Sequence, residues 1–181
     1  MRRSVLVGFL VCLALSGPAA QRAAPPAVPA ASADPIMTIE TGRGIIEIRF
    51  FKADAPKSIA QILSLASHNF YRGQRIHRVD RTLVQFGDPK SRDMSYREWW
   101  GRQGSGNPIG VAEFNKHTNE RGAVGLAHGG DARGADSQLY ILKIAASNLN
   151  GKHVIVGQVT KGMEVVDKLQ VADLLKNVTL K

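Results

Sequence analysis

The sequence predicts a mostly β protein in which a closed antiparallel barrel is capped by two α-helices. Short apolar or alternating stretches recur along the chain and are separated by glycine-rich or polar turns. Only two stretches have apolar residues at the three- and four-residue spacing of a helix, one near Pro56 and one from Met163 to Gln170. Strands and helices therefore do not alternate regularly, which argues against a parallel sheet built from βαβ units.

The first 35 residues differ in composition from the rest of the chain. Two arginines precede an apolar run from Val5 to Leu15, and small residues follow it up to Ala20. This is the three-part pattern of a secretory signal peptide, and the run is shorter than the ~20 residues that span a bilayer. We expect residues 1–20 to direct export to the periplasm or beyond. An uncleaved signal that tethers the protein to a membrane is the alternative.

Residues 21–35 consist mainly of Ala and Pro, so we expect an extended linker there and a single folded domain over residues 36–181. The domain is predicted to open with a hairpin, because Ile46, Ile48 and Phe50 repeat an alternation that begins at Met37, beyond a glycine turn. A helix is predicted next over Pro56–Ala66, since proline favours the first helical turn.

Further strands are predicted from runs of β-branched, aromatic and other apolar residues. They lie near residues 76–79, 83–87, 123–127, 138–142 and 154–159. A last strand over residues 176–180 is expected to pair with the first and close the barrel. Residues 88–120 form a segment too long for a simple turn, and we expect Trp99 and Trp100 to anchor it.

Composition argues against several classes of function. The net charge is +9, but the 24 Lys and Arg residues are scattered and form no basic stripe, so we expect no nucleic-acid binding. No two histidines lie three to five residues apart and Cys12 falls in the signal, which argues against zinc; no metal, cofactor or disulfide is expected. A serine hydrolase is disfavoured because no Gly-x-Ser-x-Gly sequence is present.

Arg78 and Gln85 are the polar residues that most need an explanation. They lie seven apart in an apolar, strand-rich stretch, and the Asp80-Arg81 pair between them favours a turn. The two side chains are therefore expected on neighbouring strands and on one face of the sheet. A surface ion pair or a phosphate contact is the alternative interpretation of an arginine considered alone.

The stretch resembles the cyclophilins, which are peptidyl-prolyl isomerases. Their His-Arg and Gln-x-Gly-Asp motif is matched by His77, Arg78, Gln85, Gly87 and Asp88, with one residue fewer between Arg and Gln than is commonest. Three further blocks match in family order, so the resemblance covers residues 37–170. It implies a barrel of about eight strands, isomerase activity toward X-Pro bonds, and Arg78 and Gln85 as catalytic residues.

The resemblance also implies a substrate pocket. Its expected residues are His77, Leu83, Leu126, Ala127, His128, Gln138, Tyr140, Leu149 and His153. Tyr140 occupies the position of a pocket Phe in the family. Two departures from the family pattern weaken the expected pocket: a second pocket Phe is replaced by Thr82 or Leu83, and Asn148 occupies a position that is aromatic in many members.

Rotation about an X-Pro bond breaks no bond, so it needs an apolar slot and a hydrogen-bond donor rather than a nucleophile. Arg78 suits the donor role because a guanidinium stays charged and holds its N–H groups in a fixed plane. The expected partners are proline-containing segments of unfolded exported proteins, and the protein is expected to be a monomer. Two alternatives remain open: a proline-binding chaperone or scaffold with little turnover, and a barrel that mediates assembly.

Overall fold

The computed structural model of the protein describes residues 34–181. The predicted signal peptide, Cys12 and all but the last two residues of the predicted linker lie outside this part of the chain. The described part is mostly β, as predicted, with two helices. Its strands and helices are β1 Ile36–Thr41, β2 Gly44–Phe50, α1 Pro56–Ser67, β3 Arg78–Val79, β4 Leu83–Phe86, β5 Ala123–Leu126, β6 Leu139–Leu142, β7 Ile155–Lys161, α2 Met163–Val166 and β8 Leu175–Leu180.

The predicted closed barrel is wrong, because the eight strands form one open sheet. Their order is β3-β4-β6-β5-β7-β2-β1-β8, so β3 and β8 are its two edges. Close to these edges, backbone hydrogen bonds join residues 73–76 to residues 172–175, but the pairing amounts to an isolated bridge between Arg75 and Leu174 and not to a ladder of two strands. β3 has two residues, which offer too few N–H and C=O groups for a second ladder. The curled sheet therefore stops short of closure.

The two faces of the sheet carry different clusters of side chains. Successive residues of a strand point to opposite faces, so Val84 and Phe86 of β4 enter the main core while Leu83 joins a second, smaller cluster. The same alternation places Ile141 of β6 in the main core and Tyr140 in the second cluster. The main core is covered by α1 and α2, and the second cluster is on the face that carries the polar pair Arg78 and Gln85.

Helix α1 begins where predicted, but a distant residue caps it. The residue before it, Ala55, has no capping side chain, and the carboxylate of Glu113 accepts hydrogen bonds from the N–H groups of Lys57 and Ser58 at 3.0 and 2.8 Å. Partial burial would raise the pKa of Glu113, but the N–H donors of Ser58 and Lys57 outweigh it and lower the pKa. The long loop is thereby fastened to the helix.

Helix α2 is shorter than predicted, since it ends at Val166 and not at Gln170. Beyond that point the N–H groups of Lys168 and Leu169 bond to carbonyls three residues back, which is a tighter turn than an α-helix. The predicted apolar side is nevertheless correct, because Val165, Val166 and Leu169 are all buried.

The long segment after β4 is anchored by Asp88 and not by its tryptophans. Trp99 is 58% exposed, and Trp100 makes one hydrogen bond to a backbone carbonyl of the same segment. Asp88 is fully buried, and one of its carboxylate oxygens accepts the N–H groups of Gly101, Arg102 and Gln103. A buried carboxylate must be satisfied in this way, so Asp88 fixes where the segment returns to the sheet.

Candidate active site

Three functional side chains lie in one row across neighbouring strands. Arg78 of β3 is directly opposite Gln85 of β4, and Gln85 is directly opposite Tyr140 of β6. The row continues to Gly125 of β5, which is paired with Tyr140. Residues opposite each other in antiparallel strands project from the same face, so the predicted placement of Arg78 and Gln85 on one face is confirmed.

A chain of hydrogen bonds orients the polar end of this row. Arg78 donates from Nη1 to Oε1 of Gln85 at 3.4 Å, and Gln85 donates from Nε2 to Oε1 of Gln138 at 2.7 Å. Gln138 then donates from Nε2 to the carbonyls of Gly101 and Gln103 at 3.0 and 2.8 Å. The chain ends on the backbone segment that Asp88 holds, so the amide of Gln85 has a fixed orientation.

Asp80 holds the guanidinium from the other side. Its Oδ2 accepts from Nη2 and Nε of Arg78 at 2.8 and 3.1 Å, and its Oδ1 accepts the N–H groups of Thr82 and Leu83 at 2.7 and 2.9 Å. Burial would raise the pKa of Asp80, but the Leu83 and Thr82 donors, together with Arg78, outweigh burial and lower that pKa. The carboxylate therefore stays ionised beside the guanidinium at neutral pH.

The geometry leaves donors of Arg78 available to a ligand. A guanidinium has five N–H groups, and three of them are directed at Asp80 and Gln85. The remaining two have no acceptor among residues 34–181. The side chain is 56% exposed, so these two N–H groups are within reach of a molecule bound against the sheet.

A pocket of about 350 Å³, with both apolar and polar walls, adjoins the guanidinium. Its apolar walls are the side chains that form or pack against the second cluster: Leu83, Ala127, Tyr140, Ala146 and Leu149. Arg78, Gln85, Thr82 and Asn148 are at its rim. Thr82 and Leu83 both line the pocket, and Leu83, which is 7% exposed, supplies the apolar surface.

Two histidines form one end of the pocket, with ring centroids 4.3 Å apart. His153 has Nδ1 3.0 Å from the Leu126 carbonyl, so this nitrogen carries the proton. His128 has Nδ1 3.2 Å from the N–H of Gly130 and Nε2 2.9 Å from the Lys152 carbonyl, which places its proton on Nε2. Burial is the main effect lowering the pKa of His153, and the charges of His128 and Lys152 add to it.

Of the eleven predicted site residues, Leu126, His77 and Gln138 do not line this pocket. Leu126 is 1% exposed and belongs to the main core, because it is paired with Leu139 in a row that faces that core. It contributes only its carbonyl, to His153. His77 lies behind the pocket, against Gly101, and burial lowers its pKa. Gln138 lines an adjoining cavity of about 410 Å³.

Asp80 and Asn119 contribute to the site, but sequence reasoning did not identify them. The sequence pattern predicts Asp80 only as a turn residue, although an acid two residues from Arg78 is a usable signal of an ion pair. Asn119 accepts a hydrogen bond at 2.6 Å from the Tyr140 hydroxyl, whose pKa burial raises. It is 21 residues from Tyr140 in the sequence, and no local pattern marks it.

The described residues contain no candidate metal centre and no membrane-spanning helix. No group of three His, Cys, Asp or Glu side chains between residues 34 and 181 is placed to hold a metal ion. None of the helices in the same range is long and apolar enough to cross a bilayer.

Comparison with known proteins relates nearly the whole described chain to one family. Residues 36–181 match the family described as cyclophilin type peptidyl-prolyl cis-trans isomerase/CLD. A peptidyl-prolyl cis-trans isomerase of Helicobacter pylori is 32% identical over 144 residues, covering 78% of this chain and 83% of that protein. A probable peptidyl-prolyl cis-trans isomerase of Brucella abortus is 35% identical over 160 residues, covering 84% of this chain and 81% of that protein.

A solved structure has the same fold at low sequence identity. It is the Cryptosporidium parvum cyclophilin type isomerase crystallised in the presence of the dipeptide Ala-Pro, with a TM-score of 0.68 and 20% identity, covering 81% of this chain and 98% of that chain. The family match, the two bacterial relatives and the fold agree with one another. The chain belongs to the cyclophilin-type peptidyl-prolyl cis-trans isomerases.

Proposed function

We propose that this peptidyl-prolyl cis-trans isomerase binds the prolyl ring in the 350 Å³ pocket and rotates the X-Pro bond beside Arg78. The observation that carries the proposal is the row Arg78–Gln85–Tyr140, which sets a fixed guanidinium at the rim of an apolar slot. Proline-containing peptides are the expected ligand class, as the Ala-Pro dipeptide used with the Cryptosporidium relative suggests.

The chemistry required is stabilisation of a twisted amide. The barrier to rotation, about 18–20 kcal/mol, comes from conjugation between the amide nitrogen and the carbonyl. When the bond twists, the prolyl nitrogen regains a lone pair and accepts a hydrogen bond from a free N–H of Arg78. The planar amide offers no such lone pair, so this hydrogen bond favours the transition state over the ground state.

The apolar pocket supplies the rest of the effect. A hundred-thousandfold acceleration corresponds to about 7 kcal/mol, at about 1.36 kcal/mol for each factor of ten. One charged hydrogen bond contributes about 1.5–3 kcal/mol, so orientation and exclusion of water must contribute as well. Leu83, Tyr140 and Leu149 would exclude water from the prolyl ring. Gln85 and Asp80 hold the Arg78 guanidinium in place before the substrate binds.

The test is an isomerisation assay on a short X-Pro peptide with two variants of Arg78. We expect Arg78→Ala to lower kcat/KM by about 100- to 1,000-fold, as loss of one preorganised donor does. Arg78→Lys should lower kcat/KM as well, because an ammonium cannot keep the hydrogen bonds to Asp80 and Gln85 and also donate to the substrate. The melting temperature should change little, since exposed ion pairs contribute about 0–1 kcal/mol.

Arg121→Ala is the matched control. Arg121 is also an exposed arginine that makes two hydrogen bonds to one aspartate, Asp167, but it does not line the pocket. Its removal should leave kcat/KM unchanged. If Arg78→Ala melts early but isomerises at the wild-type rate per folded molecule, Arg78 is structural and the catalytic assignment fails.

The clients are proposed to be polypeptides exported from the cytoplasm. The support is the sequence of residues 1–20, which has the pattern of a secretory signal, followed by the Ala- and Pro-rich residues 21–35. On this proposal the domain acts as a monomer in the periplasm or outside the cell, and an uncleaved signal would tether it to a membrane.

A further inference from the structure

Asn119 joins two walls of the pocket through hydrogen bonds. Its Oδ1 accepts from the hydroxyl of Tyr140 at 2.6 Å, and its backbone carbonyl accepts from the N–H of Ala146 at 2.7 Å. Its backbone N–H and Nδ2 both donate to Oδ1 of Asn150, at 2.8 and 3.1 Å. The residue is 1% exposed, and each of its four polar atoms has a partner.

The groups that Asn119 joins belong to two successive parts of the chain, which residues 143–145 connect. Tyr140 is in β6, whereas Ala146 and Asn150 enclose a turn that carries Asn148 and Leu149 to the pocket. These two parts pack together through apolar side chains, which do not fix a distance as hydrogen bonds do. The buried network at Asn119 therefore sets how far the Tyr140 ring lies from the wall.

The Tyr140 ring is confined from its other side by Gly125. A Cβ atom on Gly125 would lie 2.3 Å from Cζ and Oη of Tyr140, so the phenol end lies directly against that backbone. Burial keeps the hydroxyl protonated by raising its pKa, and it therefore remains a donor to Asn119 at neutral pH. The ring has its face against Gly125 and its tip held by Asn119.

We propose that Asn119 is a positioning residue that fixes the distance between the Tyr140 ring and the turn that carries Leu149, and so strengthens the preference of the pocket for the five-membered ring of proline. A larger cyclic imino acid such as pipecolic acid, which has one more methylene in its ring, would be accepted less well. This inference rests on the proposed assignment of the pocket to the prolyl ring. An apolar pocket of fixed size distinguishes one methylene by about 10- to 200-fold.

The experiment compares kcat/KM for two peptides that differ only in a prolyl or a pipecolyl residue. Wild-type protein, Asn119→Ala, Tyr140→Phe and the double variant are measured. We expect each single variant to lower the prolyl-to-pipecolyl ratio about tenfold, mainly through KM for the pipecolyl peptide. The double variant should resemble the singles, because both remove the same hydrogen bond. Intrinsic differences between the peptides cancel when ratios are compared between variants.

Asn115→Ala is the matched control. Asn115 is in the same loop and also bonds it to the fold, with Nδ2 2.8 Å from the Ile155 carbonyl, but it does not line the pocket. Its removal should lower stability without changing the ratio. Tyr140→Phe removes only the hydroxyl oxygen, so the ratio can be measured in this variant even if Asn119→Ala does not fold.

The outcomes separate this inference from the proposed function. If Arg78→Ala loses activity while Tyr140→Phe and Asn119→Ala keep the wild-type ratio, the pocket is catalytic but Asn119 does not set its width. If Asn115→Ala lowers the ratio as much as Asn119→Ala does, loop stability and not positioning explains the effect. A wild-type chain that does not isomerise the prolyl peptide would overturn both proposals.

Discussion

Arg78 is held by residues close to it in sequence and by one residue across the sheet. Asp80 is two residues away and also caps the turn that leads into β4, and Gln85 is the cross-strand partner. One carboxylate thus shapes the turn and orients the guanidinium. The Arg78 side chain remains more than half exposed even though it bonds to Asp80 and Gln85, so its guanidinium can still reach a ligand.

Two half-buried histidines, His77 and His153, give a prediction for the dependence of stability on pH. Burial lowers the pKa of His77 and of His153 below 6.5 in the folded chain. Between those lowered values and 6.5 the unfolded chain binds more protons than the folded one, so the free energy of unfolding rises with pH. Above about pH 6.5 both states are deprotonated at these sites and their contribution is constant. Urea melts across this range should show the rise and the plateau.

Substitutions test which histidines cause the slope. His77→Gln and His153→Gln should each flatten the pH dependence of the free energy of unfolding below pH 6.5. A slope that survives the double substitution of His77 and His153 would assign the pH dependence to other groups.

At the scale of elements, helix α1 depends on a cap that is far from it in sequence. Glu113 satisfies two N–H groups of the first turn that would otherwise have no partner, and its charge is favourable at the positive end of the helix dipole. We expect Glu113→Ala to lower the free energy of unfolding by about 1–2 kcal/mol, the usual cost of losing a cap. Urea denaturation would measure it.

The control is Glu98→Ala, which removes an exposed glutamate of the same long segment. It should change stability by less than about 0.5 kcal/mol. Equal effects of the two substitutions would mean that Glu113 does not cap the helix in solution. Activity toward the short peptide should be retained in both variants, because neither side chain lines the pocket.

At the scale of the whole molecule, the two faces of the open sheet have different roles. One face packs on α1 and α2 to form the main core, and the opposite face near β3, β4 and β6 carries the pocket. The long segment between β4 and β5 is fastened to the fold at three points: by Asp88, by Glu113 at the start of α1 and by Asn119 at Tyr140. The pocket is therefore built on strands and on the turn that carries Leu149, and residues 101–104 of the long segment line the adjoining cavity.

The proposed export gives a prediction for the complete chain. If residues 1–20 are a cleaved signal, the mature protein should begin between about Gly17 and Ala24 and contain no thiol, since Cys12 is the single cysteine. Intact mass and thiol titration of protein recovered from the extracytoplasmic fraction would show this. Recovery there of soluble full-length chain with a free Cys12 would contradict cleavage.

The sequence by itself determined the features that depend on neighbouring residues. Alternation in β1 and β2 and the three- and four-residue spacing in α1 indicated which faces are buried, because these periods are properties of the local backbone. The strand–turn–strand pattern around Asp80 predicts Arg78 and Gln85 on neighbouring strands and on one face, and the observed register pairs them directly. The same alternation could have excluded Leu126 from the pocket, since Leu126 and Gly125 must face opposite ways.

Only the tertiary structure decided the contacts between distant parts of the chain. Glu113 caps a helix 55 residues away, Asn119 holds the hydroxyl of Tyr140 at a separation of 21, and Asp88 anchors residues 13 to 15 positions beyond it. The open sheet is also a tertiary outcome, because it depends on whether two distant edges meet along a ladder. Such contacts are selected by the packing of the whole fold, so no local period in the sequence encodes them.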